Sequence, residues 1–383
     1  MKSLQFIIIL LAALIISVGA IVLYNQKNVV EPEKAEQQTF TGQMLFAELK
    51  QKVSDLAKIE IMQNDDSISL VKDNQKTWIL ESPYGYPADQ KKMNNLIVEI
   101  TDISIGDRLT DNPEKYDNFG LKGDIGSFGA IVMKDDQDKE IMRLIAGDER
   151  KAPPDPKRIM PPIGRYYRIG NDPGVYLADA NLYWLNTRIT TWVESRILTF
   201  PMTNVMSVSI DHGSTESLSI TWEGGTPVLK ALDDGMETKT SEINTVRGGL
   251  SNLYMKDVLA ADSDKAKALV FDTTFTAYLK DGSIYHAKTA AEGEQYYIAL
   301  SAEYGEPIVS AEDKATTDSM IAIEKAAGEA KKAVPEFNKR HTPWVYEVMD
   351  WPYKNLSRKR SDLMQPEGTE ASREEPKFEI PNE

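Results

Sequence analysis

Residues 4–24 are apolar almost throughout, broken only by Gln5, Ser17 and Gly19, and no charge interrupts them. As a helix rising about 1.5 Å per residue, this stretch matches a hydrocarbon core of about 30 Å. Lys2 and the amino terminus precede it, so the positive-inside rule places the N-terminus in the cytoplasm and the bulk of the chain outside. A cleaved signal peptide is the competing reading, because Val18-Gly19-Ala20 offers the small residues of a cleavage site. Apolar character continues through Ile21-Val22-Leu23 and the positive region is minimal, which favours an uncleaved anchor. The expectation is a single-pass protein of the inner membrane, N-terminus cytoplasmic and bulk periplasmic. Residues 1–24 form its transmembrane helix, and residues 25–40, polar and carrying Pro32, form a juxtamembrane linker.

Composition narrows the remainder. The chain has 383 residues, with 44 Lys and Arg against 59 Asp and Glu, a formal charge of −15. That balance argues against nucleic acid as a partner, which calls for a concentrated basic face. The absence of cysteine excludes disulfides, thiolate metal sites and a cysteine nucleophile, and suits an oxidising compartment. Length alone suggests two domains or one large one.

Those domains read as one unit written twice. Residues 41–57 carry apolar side chains at helical spacing. Lys58-Ile59-Glu60-Ile61, a turn at Asn64-Asp65-Asp66 and Ser67-Ile68-Ser69-Leu70 then alternate with period two, predicting a hairpin that Trp78-Ile79-Leu80 extends. Asp89 is placed to cap a helix carrying Met93, Leu96, Ile97, Ile100 and Ile103. Roughly 150 residues later the order recurs. Ser207-Val208-Ser209-Ile210 and Ser217-Leu218-Ser219-Ile220 match the first two strands. A helix carrying Leu250, Leu253 and Met255 matches the first helix. The segments at 128–135, 166–169 and 190–193 are answered at 275–281, 296–299 and 342–345. The predicted fold is α+β: a transmembrane helix, then two tandem repeats at 41–200 and 201–363, each an antiparallel sheet with a covering helix. The first repeat carries a proline-rich insertion at 152–164, and the second an Ala/Lys/Glu-rich one at 311–333 that predicts a solvated helix. An acidic, disordered tail is expected at 364–383.

Tyr86-Pro87-Ala88-Asp89 with the following helix, Thr110-Asp111-Asn112-Pro113-Glu114-Lys115-Tyr116 and Phe119-Gly120-Leu121 resemble the family catalogued as domain of unknown function 4340. Trp344-Val345-Tyr346-Glu347-Val348 and Tyr353-Lys354-Asn355-Leu356 are similar to its closing segment. The resemblance runs over about residues 41–363. It implies a membrane-anchored bacterial envelope protein, some members being encoded beside parts of exporter-type ABC transporters. It supplies no catalytic residue. Phe119 stands where the family has Tyr.

The sequence assigns no catalytic residue, no cofactor and no metal. His212, His286 and His341 lie far apart, and His286 in a predicted strand reads as a hydrogen-bonded sheet histidine. The acidic runs at Asp65-Asp66, Asp135-Asp136 with Asp138, and Asp233-Asp234 fall at predicted turns, where carboxylates stabilise the bend and face water. Asp281-Gly282 is a hairpin turn. Two segments suit contact with a partner. The first displays Lys157 and Arg158 between Pro154, Pro156 and Pro161, stiff and cheap to order on docking. The second groups Trp344, Tyr346, Trp351 and Tyr353, of which Trp344 matches Trp192 and reads as core, leaving Trp351 and Tyr353 as contacts.

The role expected is a non-catalytic scaffold or accessory subunit of an envelope assembly, with protein partners in the inner membrane or periplasm and an ABC-type exporter as the assembly the resemblance implies. The alternative is a cell-wall or polysaccharide binding module using an exposed aromatic platform. An envelope hydrolase with paired carboxylates ranks third.

Overall fold

Alternating side chains on short strands, joined by tight turns, leave an antiparallel sheet as the economical way to satisfy the backbone, and antiparallel sheets dominate this chain. In a computed structural model, residues 43–44, 46, 49–81, 85–151, 163–223, 225–230, 232–309 and 317–368 are described. The chain divides into two units. The first holds the described residues up to Leu56, Ile61–Asp65 and Leu96–Leu185; the second holds Ala57–Glu60, Asp66–Asn95 and the described residues from Asn186 onward.

In the first unit the strands run side by side in the order Gln43–Met44, Ser104–Thr110, Val175–Ala178, Arg165–Ile169, Glu140–Glu149 and Gly129–Lys134. The strand Lys58–Gln63 comes next, with Ile61–Gln63 belonging to this unit. Ala130, Ile131, Val132 and Met133 are all fully buried, so the central strand is covered on both faces.

The second unit has an eight-stranded antiparallel sheet in the order Asp257–Ala260, Trp344–Val348, Gln295–Tyr304, Ser283–Glu292, Thr273–Leu279, Val205–Asp211, Ser217–Glu223 and Thr226–Leu229. This is the spatial order of the first unit. From Ser104–Thr110 and Asp257–Ala260 inward, each sheet has Val175–Ala178 or Trp344–Val348 next, then three consecutive strands in reverse, then Lys58–Gln63 or Val205–Asp211; the first unit adds Gln43–Met44 outside Ser104–Thr110. The predicted hairpin at Asp281-Gly282 is present, with Gly282 at φ +88° and the Asp281 carboxylate accepting from Ser283 N at 2.9 Å. A Cβ at Gly282 would stand 2.7 Å from the Gly305 carbonyl oxygen, so glycine is required twice over. The second unit also contains the antiparallel pair Asp66–Lys72 and Trp78–Leu80, in the register Leu70 opposite Leu80.

Helices follow the capping and spacing rules in some places and depart from them in others. Asp89 caps the helix Gln90–Thr101 through its Oδ1, which accepts from Lys91 N at 3.0 Å and Lys92 N at 3.2 Å. Met93, Leu96, Ile97 and Ile100 are buried at i, i+3, i+4 and i+7. The helix expected through Leu250, Leu253 and Met255 instead spans Thr240–Arg247. Gly248-Gly249 ends it, and Leu253 sits in the strand Asn252–Tyr254, which pairs with Arg196–Thr199. The helix expected over 41–57 is reduced to Leu49–Lys52 and a 3-10 turn Val53–Asp55, preceded by a short strand.

The helix Thr317–His341 is longer than the predicted insertion and is not simply solvated. Ile323, Ala327, Ala330 and Val334 are buried, and Asn338 exchanges two hydrogen bonds with Ala302 (2.7 and 2.8 Å). Part of the expected tail also has structure, since Met364–Pro366 pairs with Met236–Thr238. Among the described residues no helix is long and apolar enough to cross a membrane; the expected anchor at 4–24 lies outside them.

A buried cation organises the first unit. Arg165, 3% exposed, donates to the carbonyls of Gly147 (2.6 Å) and Asn181 (3.0 Å) and to Glu149 Oε1 (2.7 Å), with its guanidinium 3.5 Å from the Phe128 ring centroid. Removing one member of such a set strands the others. Arg165→Leu is expected to cost about 3 kcal/mol, lowering the melting temperature of this unit by about 6–12 °C in a calorimetric scan.

Candidate functional site

The strand Trp344–Val348 gathers aromatic side chains of the second unit. Tyr346 is fully buried and Trp344 half-buried. Tyr86 meets both edge-on, at ring-centroid distances of 5.0 Å from Trp344 and 6.3 Å from Tyr346. The Tyr346 hydroxyl and His341 Nδ1 share a hydrogen bond of 2.8 Å, and the imidazole lies 4.4 Å from the Phe337 ring. Phe337 in turn meets Tyr285, which stacks on Phe200. Burial, with Arg340 adding to it, pushes His341 down to about 4, and burial pushes the Tyr346 hydroxyl upward. Neither group changes charge near pH 7, so the pair works as a fixed hydrogen bond.

Beside this cluster lies a cavity of about 280 Å³, lined by Tyr86, Pro87, Ala88, Asp89, Glu194 and Arg340. The polar groups of the 86–89 segment are committed to structure. Ala88 N donates to the Trp78 carbonyl, its own carbonyl accepts from Gln90 Nε2, and Asp89 caps the following helix. The segment is a latch for the closing strand.

The contact residues expected from sequence fare differently. Pro154, Pro156, Lys157, Arg158 and Pro161 lie outside the described residues. Trp351 is 59% exposed and the neighbouring Met349 63%, both at the start of the helix Asp350–Leu356. Tyr353 is half-buried, its ring tilted against Tyr296 at 4.7 Å. Trp78, Trp192 and Trp222 are buried and Trp184 half-buried, so Trp351 is the tryptophan that faces water. His286 is the sheet histidine expected, bonded to Thr276 Oγ1 at 3.0 Å. The acidic runs sit at exposed turns, and Asp135 accepts from Gln137 N and Lys139 N of its own hairpin. Among the described residues no group of three or more His, Asp or Glu could hold a metal ion.

The first unit contains a cleft of about 820 Å³ that sequence reasoning missed. The 3-10 turn Pro113–Phe119, capped by the Asn112 side chain, carries Tyr116, whose hydroxyl donates to the Pro173 carbonyl at 2.8 Å. Arg168, opposite Ile145 in the sheet, lays its guanidinium 4.4 Å from the Tyr116 ring centroid and donates from Nη2 to the Gly123 carbonyl at 2.5 Å. Its Nε is sealed from solvent with no acceptor. Arg143, Glu140, Asp124, Asn171 and Asp172 complete the lining. Arg143 donates twice to Glu140 Oε2, at 3.0 and 2.8 Å. Asp172 accepts from Gly174 N, Tyr176 and Arg108, which hold its carboxyl below the usual range. No local motif marks these residues; only the sheet brings Arg168 to the 3-10 turn.

Two outcomes test the aromatic cluster. Tyr86→Ala is expected to cost about 3 kcal/mol, the range for deleting a buried ring, and Tyr86→Phe about 1 kcal/mol, both read by thermal melting. The folded imidazole of His341 titrates at about 4 against an ordinary 6.5, so the unfolded chain takes up its proton first. This group's contribution is complete above about pH 6.5 and is lost as pH falls towards 4, by about 2–3 kcal/mol at pH 4.5. His341→Gln is expected to flatten the acid arm of the melting temperature against pH; an unchanged slope would refute the assignment.

No curated protein and no solved structure matched the chain. One family model matches residues 78–273, about half of the chain and a narrower span than the 41–363 of the resemblance. It begins at the Trp78 strand, takes in the 86–89 latch and the 3-10 turn, and ends at the start of the strand Thr273–Leu279. The chain belongs to the family described as Domain of unknown function (DUF4340).

Proposed function

We propose that this chain is a single-pass, N-in protein of the inner membrane whose bulk, outside that membrane, serves as a non-catalytic scaffold or accessory subunit of an envelope assembly. The resemblance favours an ABC-type exporter as that assembly. The anchor rests on the uncharged apolar stretch at 4–24, and the periplasmic side on the positive-inside rule. We further infer that the two modules arose by duplication, which their shared strand order supports.

The observation that carries the partner role is the exposed pair Met349 and Trp351. A large ring held at a helix start and left in water is the kind of anchor that dominates protein interfaces. The solvated placement of the acidic runs supports a non-catalytic reading. A polysaccharide module remains the second reading; Trp351, Tyr183 and Tyr254 are its exposed rings.

Affinity purification of the full chain from gently solubilised membranes tests the proposal. Partners identified with the wild type are expected to fall at least tenfold with Trp351→Ala, a loss of about 2 kcal/mol typical of an interface anchor, while the melting temperature stays within about 1 °C because the side chain is exposed. Recovery of the bait alone with the wild type would overturn the accessory role, and partner capture unchanged by the variant would overturn the surface assigned to it.

A further inference from the structure

We propose that the cleft beside Arg168 binds a small monocarboxylate rich in hydroxyl groups, a sugar acid, with the carboxylate on the Arg168 guanidinium. Arg168 is preorganised for this task. Stacking on Tyr116 and the bond to Gly123 fix the plane of its fork, and among the described residues it forms no ion pair. A planar guanidinium held in this way binds a carboxylate with little further loss of freedom. The volume of about 820 Å³ lies within the range of small-molecule sites.

The remaining lining selects against other anions and other carboxylates. Asp124, Glu140 and Asp172 line the same cleft with carboxylates, which disfavours a phosphate or any polyanion. Glu140 accepts from Arg143, and Asp172 shares Arg108 with Asp111, so each keeps spare lone pairs. Such groups accept readily from neutral hydroxyls. An ammonium would find only Asp124 unpaired, and that residue is exposed to water. Asn171 adds an amide that can donate or accept. A ring bearing one carboxylate and several hydroxyls meets each of these demands. None of the residues of the Trp351 surface takes part.

Saturation-transfer NMR on the full chain in detergent, with D-glucuronate as the probe, tests the site. Saturable transfer to the glucuronate ring protons is expected, with D-glucose binding at least tenfold more weakly. Arg168→Met, which keeps the stem on Tyr116, is expected to weaken glucuronate at least tenfold. Asp124→Ala, which removes the acceptor at an exposed position, is expected to weaken it about threefold, the loss of one hydrogen bond. No saturable transfer, or transfer unchanged in both variants, overturns the proposal. Displacement of glucuronate by glycylglycine or inorganic phosphate at lower concentration overturns the ligand class.

Discussion

The second unit depends on where the strand Trp344–Val348 goes. Trp344–Val348 does not add to a free edge; it lies between Gln295–Tyr304 and Asp257–Ala260 and pairs with both. Its register sets Tyr346 opposite Ile298 on one side and Val258 on the other, so the most buried ring of the segment is fixed by backbone pairing from two directions. Glu347 is buried as well, and its carboxylate is taken up by Lys256 Nζ (2.7 Å) and Gln295 Nε2 (3.1 Å). A strand inserted in this way closes contacts distant in sequence, which costs loop entropy before any burial rewards it. The aromatic groups stacked around it, from Tyr86 to His341, offset that cost at the point where it falls.

That dependence explains why the family motif is structural. Tyr86 rests on the closing strand and Asp89 caps the next helix, so one short segment orients two elements through a ring and a carboxylate. A Tyr followed by a capping Asp has obvious chemistry in isolation, yet here the ring and the carboxylate hold the chain in place.

The strands were legible because alternation reports burial directly. Lys58–Gln63 and Ser217–Glu223 stand where period two placed them, and Asp281-Gly282 turns where its chemistry requires. The helices were less so. Apolar spacing carries on through Leu250 and Leu253, but Gly248-Gly249 had already stopped the helix, so Leu253 faces the core from a strand. The Ala-rich 311–333 segment looked solvated because alanine carries no strong signal. Small side chains are also what let a helix lie close to a sheet, as Ala327 and Ala330 do. The cleft was illegible for a different reason: Tyr116, Arg168 and Asn171 share no spacing, and the register of Glu140–Glu149 against Arg165–Ile169 is what assembles them.

Apart from the added edge strand Gln43–Met44, the two sheets have the same strand order, and much of what distinguishes them lies in the connections. In the first unit the strands Glu140–Glu149 and Arg165–Ile169 are joined through the proline-rich 152–164 segment, whereas their counterparts Ser283–Glu292 and Gln295–Tyr304 meet in a tight turn at Gly293. In the second unit the long connection comes one step later, where the helix Thr317–His341 precedes the closing strand; the matching step in the first unit is the short turn at Gly170. The short turn leaves room beside Gly170 and Asn171 for the Arg168 cleft, while in the second unit that step is occupied by the helix that carries His341 to Tyr346. Connections that differ between the two sheets give each unit a different surface at no cost to the pairing that holds it.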